Sequence, residues 1–234
     1  MTRVAETRAS LLLAAVPGSR DTLAVRAEKL ARGWAGAVDA DTALCCRVRD
    51  AAADFRGTHF AALVPDLAAF DVAIEAWCDG DRPPDVAALT ETTDVLGDAL
   101  DRERSLVLAG RQVRFFGDGA GPVVLDYLLR RRLGLDRDAF VRYWREEHSG
   151  LRLPRFSGYL QLVVDPALTQ LLSAGTGLPA ASFDGMAEAS YEDLAHFRRV
   201  STDPAVAELA AADERRFLDH GSCAAAVSCR VWSG

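Results

Sequence analysis

The chain has 234 residues, half of them apolar and about a quarter charged, with a net charge of −7. That is the profile of a soluble globular protein, large enough for one sizeable domain or two small ones. The basic residues are dispersed, which leaves no footprint for nucleic acid or for an anionic membrane surface.

The five cysteines include an adjacent pair, Cys45–Cys46, and show no CxxC or Cys/His spacing for zinc. They suit reduced, mostly buried thiols acting as small apolar residues. The start, RVAETRASLLLAAV, has an apolar run only from Leu11 to Val16, with Glu6 where a signal peptide keeps positive charge. Nothing approaches the roughly 18 apolar residues of a transmembrane helix. A cytoplasmic protein is expected.

In chain order, LLLAAV predicts a strand near 10–16, followed by a helix near 20–35 and strands near 42–49 and 55–64. Helices are expected near 66–77 and, after the Pro83–Pro84 break, near 85–100, with a strand near 105–116. The Gly-rich GDGAG at 117–121 reads as a connector. Beyond it come strands near 122–130, 157–164, 183–191 and 223–232, and helices near 136–149, 192–200 and 204–218. Runs such as LLLAAV and PVVLDYLL suit strands covered by a layer of helices.

The two stretches read as copies of one unit. FRGTHFAAL (55–63) matches FDGMAEASY (183–191), and DLAAFDVAIEAW (66–77) matches DLAHFRRV (193–200). TALCCRVRD (42–50) matches SGYLQLVVD (157–165), and LARGW (30–34) matches FVRYW (140–144), so that Val38 stands where His148 stands. The expected fold class is α+β: two ferredoxin-like βαββαβ units, residues 1–117 and 118–234, whose antiparallel sheets cover each other as a pseudo-dimer within one chain.

GLDRDAFVRYWREEHSG (134–150), GYLQLVVDP (158–166), FDGMAEASYEDLAHFR (183–198) and ADERRFLD (212–219) resemble the EthD domain, a family of the dimeric α+β barrel superfamily. The first half resembles it only through the repeat, as a degenerate copy. RGTHFAAL (56–63) also looks like the Gly-x-Thr-His strand of stress-responsive barrels and of a polyketide cyclase, although here the Gly directly precedes the Thr. The resemblance implies a polyketide tailoring enzyme (cyclase, dehydratase or decarboxylase) that needs no bound cofactor, or a small protein of a degradation operon. Related barrels bind haem, but no further motif in this chain secures it.

Among residues that can do chemistry, His148 comes first. Asp136 can cap its helix, and Phe140, Trp144 and His148 recur every four residues on the face toward the sheet. His148 is either the favourable polar end of a helix or a general acid or base. The architecture tolerates Val38 at the matching place, which favours the second. His59, read on a strand with Ala61 and Leu63, lines a pocket or is a hydrogen-bonded core residue; as a second catalytic candidate it would serve a separate, unequal cavity.

Tyr127, Tyr143, Trp144 and Tyr159 would form aromatic walls for a substrate, or fill the core with their polar atoms satisfied. Asp126 is solvent-facing at a strand end or a buried partner for a histidine; Glu188 binds substrate, faces solvent or makes a structural salt bridge. His196 and His220 read as surface positions. No phosphate loop, nucleophile elbow or metal constellation is visible. The expected partners are a small-molecule substrate, with no nucleic acid and no membrane; cofactors and metal are none, and the chain is a monomeric pseudo-dimer or a homodimer. The leading expectation is a cofactor-independent enzyme of enolate chemistry; the alternatives are a non-catalytic carrier and a monooxygenase of the same superfamily.

Overall fold

Strands β1 (Ala5–Ala15), β2 (Thr42–Arg49), β3 (Val72–Asp79) and β4 (Leu100–Phe116) come from the first half. Strands β5 (Val123–Leu129), β6 (Gly158–Val164), β7 (Gly185–Tyr191) and β8 (Ala224–Ser233) come from the second. The computed structural model describes residues 5–35, 42–50, 55–67, 69–79, 92–117, 121–151 and 156–233. All eight strands are antiparallel to their neighbours and close into a barrel in the order β1-β3-β2-β8-β5-β7-β6-β4.

Each half thus keeps the ferredoxin-like order 4-1-3-2. The halves also join edge to edge, through β2·β8 and β4·β6. Among the described residues, closure leaves no unpaired sheet edge.

Strand alternation sorts the side chains into two environments. Leu12, Ala73, Leu108, Leu128, Leu162 and Met186 fill one end of the barrel interior. Ala9, Leu11, Leu13, Leu44 and Ile74 point outward under helix α1 (Arg20–Trp34), and Leu125, Tyr127, Ala189 and Tyr191 point outward in the second half. The five cysteines are free thiols, four of them buried. Burial pushes the Cys46 thiol up to about 12 and those of Cys223 and Cys229 up to about 11, so they stay protonated and inert.

The second-half strands lie where the sequence places them, and the first half departs at its third strand. Residues 55–64 are not a strand: Thr58 caps a short helix α2 (His59–Leu63), accepting from the Ala61 amide. Residues 72–79 within the expected helix 66–77 and just beyond are β3 instead. The repeat is therefore Phe70-Asp71 with Phe183-Asp184. In both halves the Asp amide donates to the first strand (Leu13 O and Leu129 O, 2.8 Å each) and the carboxylate accepts a backbone amide two residues on (Ala15 and Arg131, 2.9 Å each).

Of the helix expected at 85–100, the described part is α3 (Thr92–Leu96) with a 3-10 turn at Gly97–Ala99. Val38 and the proposed boundary at 118 lie outside the described residues. The further helices are α4 (Arg137–Arg142), α5 (Pro166–Thr176), α6 (Leu194–Ser201) and α7 (Pro204–Glu214). Helix α5, not among the expected elements, is capped by Asp165 and ended by Gly177 at φ 68. Among the described residues, no helix is long and apolar enough to cross a membrane.

Helix α5 reveals how the halves are interlocked. The segment after β6 crosses onto the first half: Ala181 donates to Val107 O at 2.8 Å, and Leu168, Leu172 and Leu178 join the core under α1. The segment after β2 crosses the other way: Ala225 donates to Asp66 O at 2.7 Å, and Phe55, Phe60 and Val64 join the core of the second half. Each half thereby lends a lid segment to the other.

Trp144 packs directly on β7, and only glycine leaves room for it. A methyl group at Gly185 would sit 2.5 Å from the indole Cζ3 and 3.1 Å from Leu162 O. Gly185→Ala is expected to cost about 1–3 kcal/mol by overpacking. Urea unfolding checks this; an unchanged midpoint would mean the indole shifts freely.

Candidate functional site

His148 ends an irregular helix. Asp136 caps α4, accepting from Ala139 N at 2.8 Å, and the helix widens into a π turn over Tyr143–Glu147 before a 3-10 turn over His148–Gly150. Gln161 on β6 donates from Nε2 to Trp144 O at 3.1 Å, pinning a carbonyl of the widened turn. Such π turns recur at functional sites. The expected stripe holds: Phe140 and Trp144 are fully buried and His148 is 9% exposed.

The His148 ring is fixed from one side. Its Nδ1 lies 2.8 Å from Asp213 Oδ2, and the Tyr143 hydroxyl donates to Asp213 Oδ1 at 2.6 Å. Arg216 reaches the same hydroxyl at 3.3 Å. Burial pushes the Asp213 carboxyl up, but the hydrogen bonds from His148 and Tyr143 outweigh it and hold the group below the usual carboxylate range. An ionised Asp213 accepts from Nδ1–H, which fixes the tautomer with Nε2 as the free base.

His148 forms one wall of a partly open cavity between the outer face of the second-half sheet and α6 and α7, with an enclosed volume of about 90 Å³. Tyr127, Tyr159, Ala187, Ala189 and Tyr191 form the floor, while Val200, Ser201, Val206, Ala210 and Glu214 line the helical side. His59 and Phe60 enter from the lent segment of the first half. The two histidines thus share one cavity, not two, and His59 sits on a helix rather than a strand. Burial holds the His59 ring below its ordinary ionisation range, so it is neutral near neutral pH. Burial likewise raises the Tyr159 hydroxyl to about 12.

The first half fills the corresponding place. There Leu11 pairs opposite Ile74, as Tyr127 pairs opposite Ala187 in the second half. Both first-half side chains are buried in the core under α1. Replacement of an isoleucine-sized group by Ala187 opens the space.

The remaining expected site residues fall elsewhere. Tyr143 and Trp144 do not line the cavity: one braces Asp213, the other is core. Asp126 is fully buried rather than solvent-facing, and both Asp126 and Glu188 point into the barrel interior. Arg47 forms a two-bond fork with Asp126 at 2.8 and 3.0 Å and also reaches Glu75 and Ser228. Arg8 bonds Glu188 at 2.7 Å, Gln112 at 2.6 Å and Glu75. Glu75, Asp126 and Glu188 bring ligand oxygens within 4.8 Å of one another, but the guanidinium groups of Arg8 and Arg47 already supply the counter-charge. His196 is buried against Tyr191, not exposed, and His220 Nε2 donates to the Glu214 carboxylate at 3.0 Å.

The sequence motif ADERRFLD now has a structural meaning. Asp213 orients His148, Glu214 lines the cavity, and Phe217 stacks near the rings of Phe140, Tyr143 and His148 at 5.9, 5.2 and 5.2 Å. Asp213, Glu214 and Ser201 were missed as site residues, since nothing local pairs Asp213 with a histidine 65 positions away.

A barrel closed within one chain, with a sheet-and-helix cavity in one half, is a fold of the dimeric α+β barrel type. More particularly, residues 132–221 match the EthD domain family model. Comparison with curated proteins gave no match. Among solved structures, an anthrone oxidase-like protein aligns with TM-score 0.59 at 10% identity, covering 98% of this chain and 92% of that one. A protein provisionally named a chlorite dismutase aligns with TM-score 0.50 at 13% identity over 99% and 96% of the two chains. One provisionally named a monooxygenase, from Fusobacterium nucleatum subsp. nucleatum, aligns with TM-score 0.50 at 5% identity over 100% and 95%. At these identities the likeness concerns the fold.

Proposed function

We propose that the chain is a small-molecule tailoring enzyme in which His148 moves a proton on an aromatic or polyketide-like substrate. The reaction would be cyclisation, dehydration or decarboxylation without a bound cofactor. One observation carries this reading: His148 stands at a cavity wall with Nδ1 tied to Asp213 at 2.8 Å. That arrangement suits a base which takes a proton beside a carbonyl and returns it to a leaving hydroxyl. Tyr127 and Tyr159 offer aromatic surface beside it.

A second reading, cofactor-free oxygenation, is favoured by the fold likeness to proteins named as an anthrone oxidase-like protein and a monooxygenase. It shares the first step. A deprotonated anthrone methylene would meet dioxygen, one oxygen atom becoming the new carbonyl and the other leaving as water.

The test uses 1,8-dihydroxyanthrone in deuterated buffer without oxygen. Exchange of its methylene protons, followed by NMR, is expected to be accelerated by the protein and to fall about 10²–10⁴-fold in His148→Ala. Equal exchange with and without protein would sink the proposal for this substrate class. Quinone formation on readmitting air separates the oxygenase reading from the lyase one.

A further inference from the structure

The cavity carries polar atoms that the acid–base role leaves unused. Tyr127 Oη, Ser201 Oγ and His59 Nδ1 are all buried and have no partner at ordinary hydrogen-bond distance and angle among the described residues, although Glu214 and Cys223 stand beside Tyr127, Tyr191 beside Ser201 and the Ser201 backbone beside His59. Tyr127 and Ser201 are 6% and 2% exposed, and all three residues line the same cavity as His148. Buried polar atoms are almost always paired, so three orphans facing one space call for an explanation. Each unmade bond costs free energy that a ligand atom would recover.

Their chemistry narrows the ligand. Two hydroxyls and a neutral imidazole both donate and accept. The Glu214 carboxylate stands on the same wall and, after burial itself, is the next cause raising the Tyr127 hydroxyl. No Lys or Arg occurs among the described lining residues. Apart from His148 and Ser149, the rest of the lining is aromatic or aliphatic, which suits a flat apolar body.

We propose that Tyr127 and Ser201, with His59 lent by the first half, form a docking point for the uncharged hydroxyl or keto oxygen of an aromatic ligand. They are positioning residues. The inference rests on the reading of this cavity as a substrate site and adds what that site selects. It also gives the degenerate half a role, because its lent segment completes the polar end of a site whose base belongs to the other half.

Fluorescence titration with 1-naphthol, naphthalene and 1-naphthoate tests this. Wild-type protein should bind 1-naphthol at least tenfold more tightly than naphthalene or 1-naphthoate. Tyr127→Phe and Ser201→Ala, which remove one oxygen each and keep the shape, should each weaken 1-naphthol about three- to tenfold. Naphthalene affinity should stay unchanged, which shows that the cavity is intact. If the variants bind 1-naphthol like wild type, or 1-naphthoate binds best, the docking point is overturned while the His148 reading stands. If no probe binds, the cavity is not a ligand site and both fall.

Discussion

Changing Asp213 to Asn is expected to slow proton exchange about 10²–10⁴-fold while leaving 1-naphthol affinity within twofold of wild type. The carboxylate accepts from His148 Nδ1 at 2.8 Å and from Tyr143 at 2.6 Å. An amide can offer Nδ1 either a carbonyl or an NH₂. With the Tyr143 hydroxyl and Arg216 on the far side, the NH₂ is free to turn toward Nδ1 and favour the tautomer with its proton on Nε2. That ring faces the cavity as a donor and cannot take a proton.

Stability gives a second reading of the same variant. Because the Asp213 carboxyl is held below its unfolded value, its contribution is complete above the ordinary carboxylate range and is lost as pH falls through the folded value. Asp213→Asn should therefore lose less stability than wild type between about pH 5 and 3. An exchange rate within threefold of wild type would remove Asp213 from the mechanism.

The second half was legible because its signals are local. Asp136 before α4 and Asp203-Pro204 before α7 announce helix starts, and PVVLDYLL is a Leu- and Val-rich run, buried from Val123 to Leu129 as a strand covered by helices should be. Asp165-Pro166 carries the same start signal, and α5 could have been found from it. The first half misled through Gly57, which seemed to match Gly185. Gly185 is glycine because Trp144 lies on it, whereas Gly57 sits in open space at φ 78 in a turn. The same slip put His59 on a strand.

Nothing in the sequence could show that the segment after β2 crosses to the other half, since that is set by long-range packing of Phe55, Phe60 and Val64. Asp126 and Glu188 were noticed as carboxylates within strands. Their role depends on Arg8 and Arg47, which stand in other strands and look like surface cations in isolation. The His148–Asp213 pair was half legible for a similar reason: His148 is marked by its stripe, Asp213 only by its partner.

The largest stability effect is expected at the barrel centre. Arg47 is completely buried, and all its guanidinium nitrogens are engaged, by Asp126, Glu75 and Ser228. It joins the halves, since Arg47 stands on β2 and Asp126 on β5. The ion pairs themselves add little net stability over an apolar core, but removing one partner strands the other charges out of water. Arg47→Met is expected to cost about 3–5 kcal/mol, a shift of roughly 1–3 M in the urea midpoint.

Arg47→Lys should recover only part, because one ammonium cannot reproduce the fork to Asp126. A pH signature separates this cause from simple mispacking. Burial already raises the Asp126 carboxyl, and without Arg47 beside it that group rises further. Its folded value then lies still further above its unfolded one, so the native variant binds more protons than wild type and loses more stability as pH rises. The deficit against wild type should therefore shrink on acidification from pH 7 to 5. A deficit under about 1 kcal/mol, or one that does not vary with pH, would show that these carboxylates do not depend on Arg47.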